Sequence, residues 1–230
     1  MNDIRRACDA RTKESASQLW WGWTLSCGIG EFLGMAVAAG LAALSALLFG
    51  EPETLATRIA CLLTMVLAGV LEGTSIGFFQ WRVLNRVFPR LSLRAWLTPT
   101  IIVAAVGWFI GMLPPTLLGN AEGGEAIPEP SPLIIMIFAA LFGAVAGVVF
   151  GFAQWLVLRR QTQRGTLWIW VNAIGWALAM SVIYFGASLP TAEWPIAAVV
   201  VDGAVTGIAA GLAIGSVTGT GLVWLLRNQS

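Results

Sequence analysis

The sequence predicts an all-α, polytopic membrane protein of six transmembrane helices, built as three tandem helical-hairpin repeats. Three observations predict it. Hydrophobic residues make up 57% of the 230 and gather into six long apolar runs, while only 11% are charged; soluble domains carry roughly 25% charged residues. Nearly all the basic residues fall on one side of those runs. A glycine-rich stretch also recurs 74 positions further on.

A helix needs about 20 apolar residues to cross about 30 Å of hydrocarbon. The runs Leu19–Phe49, Ala56–Leu84, Trp96–Leu118, Leu133–Leu158, Leu167–Leu189 and Pro195–Leu226 all qualify. Those longer than the minimum accommodate tilt. None alternates with period two, as a barrel strand would, so helices are left to satisfy the backbone in lipid. Residues 1–18 then form an N-terminal tail and 19–226 a single transmembrane domain, with hairpins of about 19–84, 96–158 and 167–226; 227–230 form the C-terminus. Arg5, Arg6, Arg11 and Lys13 ahead of the first run resemble the start of a signal peptide. That run is about twice as long as a signal core, so it is read as a retained span.

Charge sets the orientation. Besides those four residues, Arg82, Arg86, Arg90 and Arg94 follow the second span, Arg159, Arg160 and Arg164 the fourth, and Arg227 the sixth. Twelve of the 13 basic residues therefore share one side, and Arg58 alone is on the other, with Glu51, Glu53, Glu122, Glu125, Glu129 and Glu193. The positive-inside rule puts the basic side and both termini in the cytoplasm. Trp20, Trp21, Trp23, Trp81, Trp96, Trp155, Trp168, Trp170 and Trp224 lie near the same side, and are read as an interfacial aromatic belt. The acidic, Gly- and Pro-rich segment from Gly119 to Pro132 reads as an exposed loop, with partner docking as the alternative.

Residues 69–86, GVLEGTSIGFFQWRVLNR, align without a gap on 143–160, GAVAGVVFGFAQWLVLRR, with nine identities in 18 positions. A shared hydrophobic character does not produce that; an internal repeat does. Two spans per repeat keep every copy in the same orientation, so the repeat is parallel. The sixth span keeps the glycine spacing and loses the Gln-Trp pair. Glycines four apart line one narrow strip of a helix. Lipid gives helices no hydrophobic reason to associate, so small residues that admit a neighbouring backbone supply close packing instead. The strips Gly69, Gly73, Gly77; Gly143, Gly147, Gly151; and Gly203, Gly207, Gly211, Gly215 are the expected packing faces. Gln80 and Gln154 continue two of them and are expected to hydrogen-bond across helices, with a polar solute path as the alternative.

The FAQWLVLRR and IGWALA strings resemble those of multi-pass bacterial membrane proteins with repeated Gln-Trp-x-Val-Leu-x-Arg and Gly-Trp elements. That resemblance covers most of the chain and implies a polytopic fold without a defined activity or catalytic residue. With the charge asymmetry it implies a bacterial inner membrane.

Several chemistries are excluded or unprovided for. The chain has no His, so His-ligated haem or zinc and His-activated nucleophiles are excluded. Cys8, Cys27 and Cys61 form no C-x-x-C pair and read as small hydrophobes. Net charge is +1, with no basic excess for nucleic acid. No metal, cofactor or catalytic residue is expected.

Three acids lie inside spans: Glu31, Glu72 and Asp202. An acid at the centre of a span costs about 2.5–3.5 kcal/mol to insert, which makes it a functional candidate. Glu31 and Glu72 both sit roughly 13–17 Å from the tryptophan-rich side, at 1.5 Å per residue. They occupy the two helices of the first hairpin, and the other hairpins have Trp108, Trp176 and Ala146 at the corresponding places. Asn172 is a further polar residue within a span, expected to bond between helices. The leading expectation is a non-enzymatic accessory or scaffold subunit that contacts lipid and packs with other membrane subunits or itself. The alternatives are a small-solute or ion transporter, possibly proton-coupled, using Glu31 and Glu72, and a binder of apolar pigment or quinone.

Overall fold

The computed structural model describes the backbone of residues 2–50, 52–117, 131–162 and 165–228; side chains are described from 16 onward within these, except 115 and 117. Six helices account for almost all of it: α1 Asn2–Phe49, α2 Leu55–Val87, α3 Leu93–Leu117, α4 Pro132–Leu158, α5 Leu167–Ala187 and α6 Ile196–Arg227. All six are long and apolar enough to cross a membrane, and the described residues contain no strand. The chain is a multi-pass membrane protein. Most of the proposed loop at Gly119–Pro132 lies outside the described residues.

Local chemistry marks the ends. Thr54 caps α2 and exchanges hydrogen bonds with Thr57 in a reciprocal capping box. Pro132 occupies the first turn of α4, where the missing N–H costs nothing. One boundary differs clearly from the expected one. α1 does not begin at Leu19 but runs continuously from Asn2, although the apolar part starts only at Ala16. Hydropathy locates where a helix enters hydrocarbon, not where its hydrogen bonds begin.

The helices form an antiparallel ring in chain order, closed by α6 against α1; α3 and α4 are the neighbours that touch least. The basic end holds the α2–α3 and α4–α5 turns and the end of α6. Outward faces carry Leu63, Leu133, Phe138, Val145, Phe185 and Val201, all well exposed. An apolar surface this extensive is suited to lipid rather than water.

Several glycines stand where neighbouring helices approach closely. On α2 a Cβ at Gly73 would lie 2.9 Å from Ile101 Cα of α3, and on α4 one at Gly151 would lie 2.7 Å from Ile169 Cα of α5. On α6 one at Gly211 would lie 2.5 Å from the Cys27 carbonyl of α1. Each even-numbered helix thus presents its small residues to the odd-numbered helix beside it, and backbones approach where a methyl group does not fit.

The tryptophans require a correction. Trp21, Trp170 and Trp224 are exposed in the manner of a belt, but Trp23, Trp96 and Trp168 are fully buried inside the ring. Trp168 meets Trp23 and Trp96 edge-on, at centroid distances of 5.5 and 6.3 Å. Trp81 and Trp155, the tryptophans of the two Gln-Trp pairs, brace the turns at this end. Trp81 Nε1 donates to the Leu91 carbonyl at 3.0 Å, and Trp155 lies where a Cβ on Gly165 would come within 2.9 Å of it.

Candidate functional site: a buried carboxyl pair beside an apolar cavity

Glu31 lies on the inner side of α1, pressed between α2 and α6. Its neighbours Gly30 and Gly34 bring α2 close: a Cβ at Gly30 would be 2.7 Å from Ile76 Cα, and one at Gly34 2.9 Å from Glu72 Cα. From the other side, a Cβ at Gly207 would strike the Glu31 carbonyl. Small residues of α1 and α6 thereby bury Glu31 completely, at 0% exposure, and bring the Glu31 and Glu72 carboxyls within reach of each other.

The pairing leaves an unmet requirement. Neither carboxyl oxygen of Glu31 finds a donor among the described residues. Glu72 faces it with another carboxyl, which donates only when it carries a proton. Glu72 itself is served from α3, where the Trp108 indole N–H donates to its Oε2. Gly69 makes that contact possible, because a Cβ there would sit 2.5 Å from Trp108 Cδ1. Along α2 the nearest basic residues to Glu72 are Arg58 and Arg82, near the two helix ends; α1 has none beyond Lys13. No Lys or Arg in the middle of any span supplies a countercharge.

Glu72 and Trp108 also line a cavity of about 350 Å³ inside the ring. Its wall is otherwise almost wholly apolar and aromatic: Met35 of α1, Phe142 and Phe150 of α4, Trp176, Met180 and Tyr184 of α5. Trp176 stacks on Phe150, with centroids 4.5 Å apart and planes 9° from parallel. Gly107 and Gly111 keep the α3 wall open, and a Cβ at Gly107 would meet nothing within 4 Å. The cavity occupies the half of the ring nearer the acidic end, with Glu72 towards its inner limit.

On the basic side of the pair, polar groups continue through the interior. Gln80 Nε2 donates to Cys27 Sγ at 3.6 Å, one helical turn from Glu31. Gln154 Nε2 donates to Gln80 Oε1 at 3.3 Å and to Thr100 Oγ1 at 3.2 Å. Trp168 Nε1 then donates to Gln154 Oε1 at 2.9 Å. Thr24 Oγ1, Ser75 Oγ and Trp96 Nε1 are buried with no partner among the described residues. Buried polar atoms are rarely left so.

Of the polar residues singled out from sequence, the structure brings together Glu31, Glu72, Gln80 and Gln154. Two lie apart from them. Among the described residues Asn172 makes no hydrogen bond to another helix: its Nδ2 donates to the Trp168 carbonyl one turn back in its own helix. The close approach of α4 at Gly147 and Gly151 takes up the space beside it. Asp202 is only half-buried on α6, more than a turn beyond the Gly207–Glu31 contact, and does not join the pair. The sequence does not name Trp108 as the partner of Glu72. Its Gly-Trp string was visible, but which helix it would face was not. Among the described residues no cluster of three or more His, Cys, Asp or Glu could hold a metal.

Comparison with protein-family models, curated proteins and solved structures gives no match.

Proposed function

We propose that the chain is a proton-coupled carrier of a small solute, with Glu31 and Glu72 as the proton site and the cavity as the solute site. One observation carries this reading: a completely buried carboxyl with two unpartnered oxygens stands against a second carboxyl that lines a cavity. A proton placed between the two carboxyls satisfies both. It is also a group that can be taken up, lost or exchanged for another positive charge. Intramembrane acids facing an interior cavity are the usual means by which transport proteins handle protons. The accessory-subunit reading draws on glycine packing and an apolar exterior, which a carrier has equally.

The orientation belongs to the same proposal. The basic end faces the cytoplasm of a bacterial inner membrane by the positive-inside rule, with both termini on that side. Reporter fusions at the two ends of the chain are expected to report the same, cytoplasmic, compartment; opposite compartments would contradict it.

Infrared difference spectra of the purified protein across a pH titration test the proton site. The wild type is expected to show the carbonyl band of a protonated carboxyl, and Glu31→Gln, a neutral isostere, to remove or shift it. Identical spectra from the two proteins would overturn the reading.

A further inference from the structure

We propose that the cavity binds a small organic cation bearing apolar or aromatic groups, and that the cation takes the place of the proton beside Glu72. The inference rests on the carrier reading and names its solute class. Three features point to it.

Charge is the first. Glu72 and Glu31 are two acids in the middle of a ring whose spans carry no basic residue at that depth. Trp108 occupies Oε2 of Glu72 with a neutral donor, so the site still lacks a positive charge. The titratable groups around Glu72 are few. α1 contributes Glu31 and Cys27, α5 contributes Tyr184 in the cavity wall, and α3 and α4 have none beyond Arg94 at the start of α3. Asp202 of α6 lies farther towards the acidic end.

The second is the wall. Phe142, Phe150, Trp176 and Tyr184 surround the space next to the carboxyl. Aromatic faces attract cations, by about 2 kcal/mol or more when both partners are desolvated. They offer nothing comparable to an anion, and a strongly hydrated inorganic cation would lose its water without oxygen ligands to replace it. An organic cation has weakly hydrated apolar groups that suit such a wall.

The third is size. About 350 Å³ lies at the small end of the range for small-molecule sites, roughly 300–1,000 Å³. One or two rings, or a short branched alkylammonium, would fill it.

The exchange balances simply. The Glu72 O–H bond breaks, its proton passes to water, and the cation pairs with the Glu72 carboxylate left behind, while Glu31, which does not line the cavity, keeps its own proton and donates it to Glu72. One positive charge leaves and one arrives, so the desolvated interior keeps its charge. Nothing is oxidised or reduced.

The test uses the full chain in mild detergent and radiolabelled benzyltrimethylammonium, with neopentylbenzene, its uncharged carbon isostere, as competitor. Saturable binding is expected, displaced by unlabelled cation and by lowering the pH, with proton release seen by a dye in weakly buffered solution. The isostere is expected to compete about tenfold less well or worse. Gly107→Leu is expected to abolish binding by filling the cavity, since a side chain there meets open space and the helix gains from losing a glycine. Glu72→Gln is expected to abolish it by removing the charge. No saturable binding to the wild type, equal competition by the isostere, or full binding by folded Gly107→Leu would each overturn the inference. The Glu31 infrared band reports separately on the proton site, so loss of the cation proposal and loss of the carrier reading give different results.

Discussion

Gly147→Leu is expected to abolish the folded ring, while Gly22→Leu leaves it intact. At Gly147 a Cβ would strike the Asn172 carbonyl oxygen and lie 2.7 Å from Ala173 Cα. These are backbone atoms of α5, which cannot rotate aside as a side chain end can. At Gly22 a Cβ meets nothing within 4 Å. Inserting bulk into a packed core typically costs about 1–3 kcal/mol. Here a whole isobutyl group must separate two helices along their closest line of contact, so the upper part of that range or more is expected. Size-exclusion profiles and thermal melts in mild detergent read the difference directly. A Gly147→Leu protein with the yield and melting temperature of wild type would show that α4 and α5 do not depend on this contact. Gly207→Leu on α6 is the matching experiment at the seam that closes the ring, where the obstacle is the Glu31 carbonyl.

The positions of these glycines were legible in the sequence, and so were the spans. A span is recorded as a length of apolar residues, and α4, predicted from Leu133 to Leu158, runs from Pro132 to Leu158. What the sequence does not record is which side of a helix looks inward. In water the inner face is marked by hydrophobicity; in lipid both faces are apolar and the contrast disappears. That is why Trp168, fully buried, and Trp170, 64% exposed, looked alike. The marks that survive are the ones lipid makes costly or packing makes necessary. An acid such as Glu31 or Glu72 must turn inward, and a glycine strip must face a neighbour. The pair was therefore visible as two acids at one depth, whereas the cavity was not. Its wall comes from five helices, α1 to α5, and nothing in the sequence states how far α3 stands from α4.

The buried tryptophans make the second large prediction. Trp168→Ala is expected to destabilise the protein by about 3–5 kcal/mol, the usual cost of truncating a buried aromatic. The ring of Trp168 fills the interior between Trp23 and Trp96 at the basic end, and no rearrangement of the flanking Leu84 or Leu158, both fully buried, can replace it without opening space elsewhere. Trp168→Phe separates packing from hydrogen bonding. It keeps an aromatic ring and removes the donor to Gln154 Oε1, which leaves a buried acceptor unpaired at a cost of about 1–3 kcal/mol. In a Gln154→Leu background the acceptor is gone, and the Phe substitution should cost less by the coupling energy of the pair. Such bonds between membrane helices average about 0.6 kcal/mol and reach about 1.7, so a coupling in that range is expected from the double-mutant cycle. Melting temperatures of the four proteins in one detergent supply the measurement. Strictly additive losses would mean that Trp168 acts through its ring alone, and wild-type stability in Trp168→Ala would return these tryptophans to the membrane interface.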